Sequence, residues 1–195
     1  MRGTCAPSTA TDNHSYLVLP SFYSAAETKE MLDRVHALLD TFDVENHPLT
    51  TFETGDADGS GHVGDAYFLD SGDKVRFFLE PSAVQRATAT DPARLLVPRS
   101  RSVNKIGHAL LTDRVFGKYT LNTRMRAVAR SVGAQDPRIL QSMVICKQPR
   151  IGGEVPSHND STFLYTDPPS AIGCWIALEE CTPENGCLVG LPSSA

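Results

Sequence analysis

Apolar residues recur at helical spacing in two stretches before Pro137, and at strand spacing after it. Met31, Leu32, Val35, Leu38, Leu39 and Phe42 make one apolar face, with Asp33, Arg34 and Asp40 outside the stripe. Ser24 and Glu27 form an S-x-x-E capping box, which satisfies the orphan N–H groups that open such a helix. Residues 104–130 repeat the helical pattern through Ile106, Leu110, Leu111, Val115, Phe116, Met125, Val128 and Ala129, and Gly117 divides it into two predicted helices. Beyond Pro137, residues 138–146 read as a β run, residues 172–178 as a second strand interrupted by Gly173, and residues 187–191 as the start of a third. Helices first and strands later predict an α+β domain, with helices packed on an antiparallel sheet.

The remaining segments add short elements. Residues 16–19 are expected to form a strand closed by Pro20, and Ala66–Leu69 and Val75–Leu79 to form strands about the turn Ser71-Gly72-Asp73. Residues 81–102 are irregular; Arg94, Arg99 and Arg101 there fit a solvated loop better than a phosphate site. Residues 55–64 place Asp56, Asp58, Ser60 and Gly61 at calcium-loop positions, but Tyr67 stands where the bidentate Glu is required, so a surface loop is expected. Residues 1–13 read as a disordered tip and residues 14–195 as one domain, with no internal repeat.

Composition narrows the function classes. A chain that is 41% hydrophobic and 21% charged is globular rather than disordered. A net charge of -5 argues against nucleic acid as a partner. No apolar run is long enough to span a bilayer. The opening residues lack the basic-then-apolar order of a secretory signal, so a cytoplasmic protein is expected. The cysteines number 5, an odd count expected to be reduced thiols; the gaps between Cys174, Cys181 and Cys187 do not match a zinc knuckle.

The chemistry concentrates after a Gly/Pro turn, in Gly153-Glu154-Val155-Pro156-Ser157-His158-Asn159-Asp160. Residues two apart in an extended chain point to the same side, so His158 and Asp160 can bring an imidazole nitrogen and a carboxylate oxygen to one metal ion. That is two thirds of the two-His, one-carboxylate facial triad of non-haem iron(II) oxygenases. The tripeptide fits equally a loop histidine hydrogen-bonded to its acidic neighbour. A cupin-type site is a third reading, but it gathers several histidines and only His158 is offered here.

The surrounding blocks resemble the phytanoyl-CoA dioxygenase family. The resemblance rests on Gln141 to Pro149, Gly152-Gly153-Glu154, His158-Asn159-Asp160, Phe163 to Thr166, Gly173 to Glu179 and Glu184 to Leu188, with Phe68 to Phe78 and Val103 to Leu110 upstream. It implies a double-stranded β-helix (a cupin-like jelly roll) behind N-terminal helices. It also implies an Fe(II)- and 2-oxoglutarate-dependent dioxygenase, with ascorbate as an accessory reductant. O2 and a small molecule, such as an acyl-CoA or lipid-like compound, would be the other substrates. By the same resemblance His158 and Asp160 would bind iron, Lys105 would offset a co-substrate carboxylate, Met143 would line its pocket, and Trp175 would supply a wall and a donor. Read without it, Lys105 fits a surface helix, Met143 and Trp175 fit the core, and His108 is a structural helix histidine.

The resemblance also implies a second iron-binding His and an Arg clamp, placed after the 195 residues here. The expectation is therefore a jelly roll incomplete at its C-terminus and a truncated, poorly stable oxygenase that is weakly active or inactive. The alternative is a non-catalytic binding or regulatory module.

Overall fold

The computed structural model describes residues 16–52, 66–158, 160 and 164–189. The N-terminal tip and the Gly/Asp-rich segment at 55–64 lie outside those residues. Helix α1, Ala25–Thr41, begins as the sequence predicts: Ser24 Oγ accepts from the Glu27 N–H, and Glu27 Oε2 accepts from the Ser24 N–H. Its stripe of Met31, Val35, Leu38 and Leu39 is buried, because only one face of an amphipathic helix can leave water.

α1 packs over a three-stranded antiparallel sheet made of β1 (Val75–Leu79), β4 (Val103–His108) and β5 (Ser142–Ile145). Between β1 and β4 the chain forms a small two-stranded sheet, β2 (Val84–Gln85) with β3 (Arg94–Leu95). β4 is the middle strand, with Ile106 opposite Phe77 of β1 and Val144 of β5. α3 (Arg114–Thr120) and α4 (Thr123–Ser131) follow β4, capped by the side chains of Asp113 and Asn122. The core joins α1 residues to Leu79, Val103, Ile106, Leu110, Val115, Phe116 and Tyr119. Tyr23 completes it, donating its hydroxyl to the Tyr119 carbonyl at 2.6 Å.

Helices on an antiparallel sheet is the predicted class, but several local expectations are corrected. Residues 16–19 form no strand and are exposed, and Ala66–Leu69 is a single helical turn, α2, rather than a strand. The predicted helix over 104–130 begins as strand β4. That strand is buried on both faces, which erases the period-two alternation that identifies a half-buried strand. Gly117 lies inside α3, and the break falls at Leu121 and Asn122. Only Ser142–Ile145 of the run 138–146 pairs as a strand. Residues 172–178 form no ladder among the described residues, although Ile176 and Leu178 still pack against the core. Residues 187–189 are likewise unpaired, and 190 and 191 lie outside the described residues.

Candidate active site

One open trough of about 3210 Å³ is lined by all five predicted site residues, Lys105, Met143, His158, Asp160 and Trp175. Small-molecule pockets usually enclose about 300–1,000 Å³, so this is a broad concave face rather than a shaped cavity.

His158 and Asp160 sit on its rim, both exposed, past the turn that follows β5. His158 Nε2 and Asp160 Oδ1 are 3.3 Å apart, so the H-x-D spacing does bring its two side chains together. The other ring nitrogen, Nδ1, lies 2.8 Å from the Pro156 carbonyl oxygen. A carbonyl only accepts, so Nδ1 carries the proton, and in the neutral ring Nε2 presents a lone pair. Histidines that ligate metals commonly anchor their second nitrogen in this way. With Nε2 unprotonated, the imidazole lone pair and the carboxylate oxygen face each other, a donor set that could hold a cation; with Nε2 protonated, the same contact is a His–Asp hydrogen bond. Two ligands held at about 2.1 Å and at right angles would lie about 3 Å apart, so the pair fits one ion. Among the described residues, no cluster adds a third His, Cys, Asp or Glu to this pair.

Lys105 is not the surface helix lysine that its sequence context suggests. It sits on the central strand, 5% exposed, with Nζ 3.3 Å from the centre of the Phe52 ring. Burial pushes its ammonium down to about 8; the Glu80 carboxylate opposes that shift and Lys147 adds to it. Met143 on β5 is half-buried opposite Gly107 of β4, where a Cβ would stand 3.0 Å from the Met143 Cβ. The bare glycine thus lets the two strands close beneath Met143. Trp175 is 58% exposed, on an unpaired segment rather than in the core.

Four further residues belong to this neighbourhood. His108, buried at the end of β4, lines the same trough; its Nδ1 is 2.6 Å from Ser71 Oγ, and burial and Lys105 push its pKa below the ordinary value. Glu80 and Asn104 are buried beside Lys105, and neither type announces burial in a sequence. Cys146 lines the trough too, but burial pushes its thiol up to about 12, which leaves it unreactive.

The sequence matches the phytanoyl-CoA dioxygenase (PhyH) family model over residues 12–195. The chain belongs to the phytanoyl-CoA dioxygenase family. Within that family it is 40% identical over 185 residues to the phytanoyl-CoA dioxygenase domain-containing protein 1 homolog of Caenorhabditis elegans, covering 94% of this chain and 62% of that one. It is 43% identical over 182 residues to phytanoyl-CoA dioxygenase domain-containing protein 1 of Bos taurus, covering 92% and 61%. Against a protein of Arabidopsis thaliana called phytanoyl-CoA dioxygenase it is 40% identical over 195 residues, covering 98% and 65%. The chain therefore spans less than two thirds of the length of these phytanoyl-CoA dioxygenase relatives. No helix among the described residues is long and apolar enough to cross a membrane.

Proposed function

We propose that this protein acts as an Fe(II)- and 2-oxoglutarate-dependent dioxygenase on a jelly-roll scaffold, hydroxylating a small molecule in the cytoplasm. The observation that carries this reading is the His158–Asp160 pair, with an imidazole nitrogen and a carboxylate oxygen 3.3 Å apart on the rim of a trough that is also lined by Lys105. Bound Fe(II) would supply the activation of O2 that is coupled to oxidative decarboxylation of 2-oxoglutarate.

The chain's own residues do the rest. His158, fixed by its bond to the Pro156 carbonyl, and Asp160 hold the metal and leave its other positions open. Lys105 offsets a carboxylate of the co-substrate, and its low-dielectric surroundings strengthen that attraction. Met143 and Trp175 line the space beside it. The trough's apolar lining, including Leu110 and Ile172, suits a substrate with an aliphatic body, such as an acyl-CoA or lipid-like molecule.

The test is succinate release by the purified protein with Fe(II), 2-oxoglutarate, ascorbate and O2, alongside anaerobic Fe(II) titration. His158→Ala and Asp160→Ala are expected to abolish both release and binding. Equal Fe(II) affinity in wild type and Asp160→Ala would refute the assignment.

A further inference from the structure

Glu80 is the charged side chain that packing explains least. It follows Phe77, Phe78 and Leu79 at the end of β1 and is 0% exposed. Its Oε2 accepts the Gly153 N–H at 3.0 Å, while its Oε1 is buried without a hydrogen-bond partner among the described residues. On the neighbouring strand, Asn104 Oδ1 is likewise buried and unpartnered. An apolar side chain of similar length would avoid this desolvation, so the carboxylate must gain something in return.

The gain lies at Gly153. Glu80 holds its N–H, and Lys147 Nζ donates to its carbonyl at 2.9 Å, so both backbone polar groups of this residue are tied to the body of the domain. Gly153 also lacks the Cβ that would stand 3.2 Å from Glu80 Oε2 and 3.6 Å from Asn104 Nδ2, so its backbone can come this close. From Gly153 the chain runs without helix or strand, largely exposed, to His158. Such a segment has little of its own to fix where it points.

We propose that Glu80 is a positioning residue: by holding the Gly153 N–H it anchors the segment that carries His158 and Asp160. It thereby sets where that pair stands relative to Lys105. The inference rests on the dioxygenase reading. Glu80 touches no reacting atom and acts through one backbone amide. Its carboxylate also favours the charged form of Lys105, so one buried group serves both halves of the site.

Three variants of the full chain test this. Glu80→Ala removes the acceptor, Glu80→Asp keeps the charge but shortens the reach, and Glu80→Gln keeps an acceptor oxygen at full length. The readouts are hydrogen exchange at the Gly153 amide, the NMR signals of the His158 ring, and Fe(II) affinity in anaerobic titration. Ala and Asp are expected to speed Gly153 exchange about tenfold or more, shift the His158 signals, and weaken Fe(II) binding roughly 10–100-fold. Gln should restore the exchange rate and the ring signals. Unchanged Gly153 exchange and His158 signals in Ala would overturn the proposal, as would a Gln variant no better than Ala. Should Ala fail to fold, an Asp variant indistinguishable from wild type would overturn it equally. If wild type binds no Fe(II), the dioxygenase reading falls, and the exchange and ring signals still decide whether Glu80 anchors the segment.

Discussion

Asp160 lies against the bare Cα of Gly173: a Cβ there would stand 2.8 Å from Asp160 Oδ2. No real Cβ tolerates that distance, so one side must yield. Asp160 is the side that can, because its carboxylate is the far end of a 55% exposed side chain. Gly173→Ala should therefore leave the melting temperature within about 2 °C of wild type, since a surface rearrangement changes stability little. It should turn the carboxylate away from His158 and weaken Fe(II) binding about tenfold or more. Calorimetry and metal titration on the same preparation separate the two effects. Undiminished affinity would mean that Asp160 does not hold the ion.

Lys105 gives a pH dependence whose sign follows from its burial. Its folded pKa is about 8, against 10.5 for the free side chain. Between those values the unfolded chain binds the proton more tightly, so raising the pH favours the folded state. Below about pH 8 both states are protonated and this contribution is flat. Urea unfolding should therefore show stability rising from about pH 8 towards 10.5 on account of this residue. Lys105→Met should remove that rise and stabilise the protein at pH 7 by on the order of 1–3 kcal/mol, since a buried charge is replaced by an apolar chain. The same variant should lose 2-oxoglutarate affinity, and wild-type affinity should fall above about pH 8 as the ammonium is lost. A stabilised variant with unaltered affinity would keep the burial argument and remove Lys105 from the site.

Asp113 fastens α3 to α1. Its Oδ1 accepts the N–H groups of Val115 and Phe116 at 2.9 and 3.3 Å, and Arg34 pairs with Oδ2 at 2.8 Å. Burial alone would raise this carboxyl; Arg34 and the two backbone donors outweigh it and hold it below the ordinary carboxylate range. A depressed folded pKa gives stability that is present above the unfolded pKa, 3.8, and is lost as pH falls through the folded value. Asp113→Ala should cost about 1–2 kcal/mol at pH 7, combining a lost cap with a lost pair to a partly exposed arginine, and less at pH 3. Denaturant melts at the two pH values check it; an equal loss at both would leave the cap and ion pair without a part in the effect.

Much of the helical layer and the H-x-D pair was legible because both are local. The α1 stripe and the Ser24–Glu27 box depend on residues within one or two turns of each other. His158 and Asp160 are two residues apart, and their side chains meet in space. β4 was not legible as a strand. What makes it one is pairing with β1 and β5, from distant parts of the chain, and burial on both faces hides the alternation. The same pairing buries Lys105, Asn104 and His108, whose polar character reads as surface or as a lone helix histidine in sequence. Residues 172–178 show the converse: an apolar, β-prone stretch stays without a ladder when no described strand lies beside it.

Gly117 reads in sequence as a helix breaker, yet it lies in the middle of α3. Its reason is contact rather than conformation. A Cβ there would come within 2.6 Å of the Leu111 carbonyl oxygen, a backbone atom that cannot swing aside as the Asp160 carboxylate can. Helix propensity alone says Gly117→Ala should stabilise α3 by about 1 kcal/mol. Overpacking against a fixed backbone costs about 1–3 kcal/mol, and the segment that would have to move, Leu110–Thr112, connects β4 to α3. The expected net result is a loss of about 1 kcal/mol and a melting temperature lower by a few degrees. A gain instead would show that the Leu110–Thr112 turn relaxes freely, and that the approach of α3 to the end of β4 is not set by this glycine.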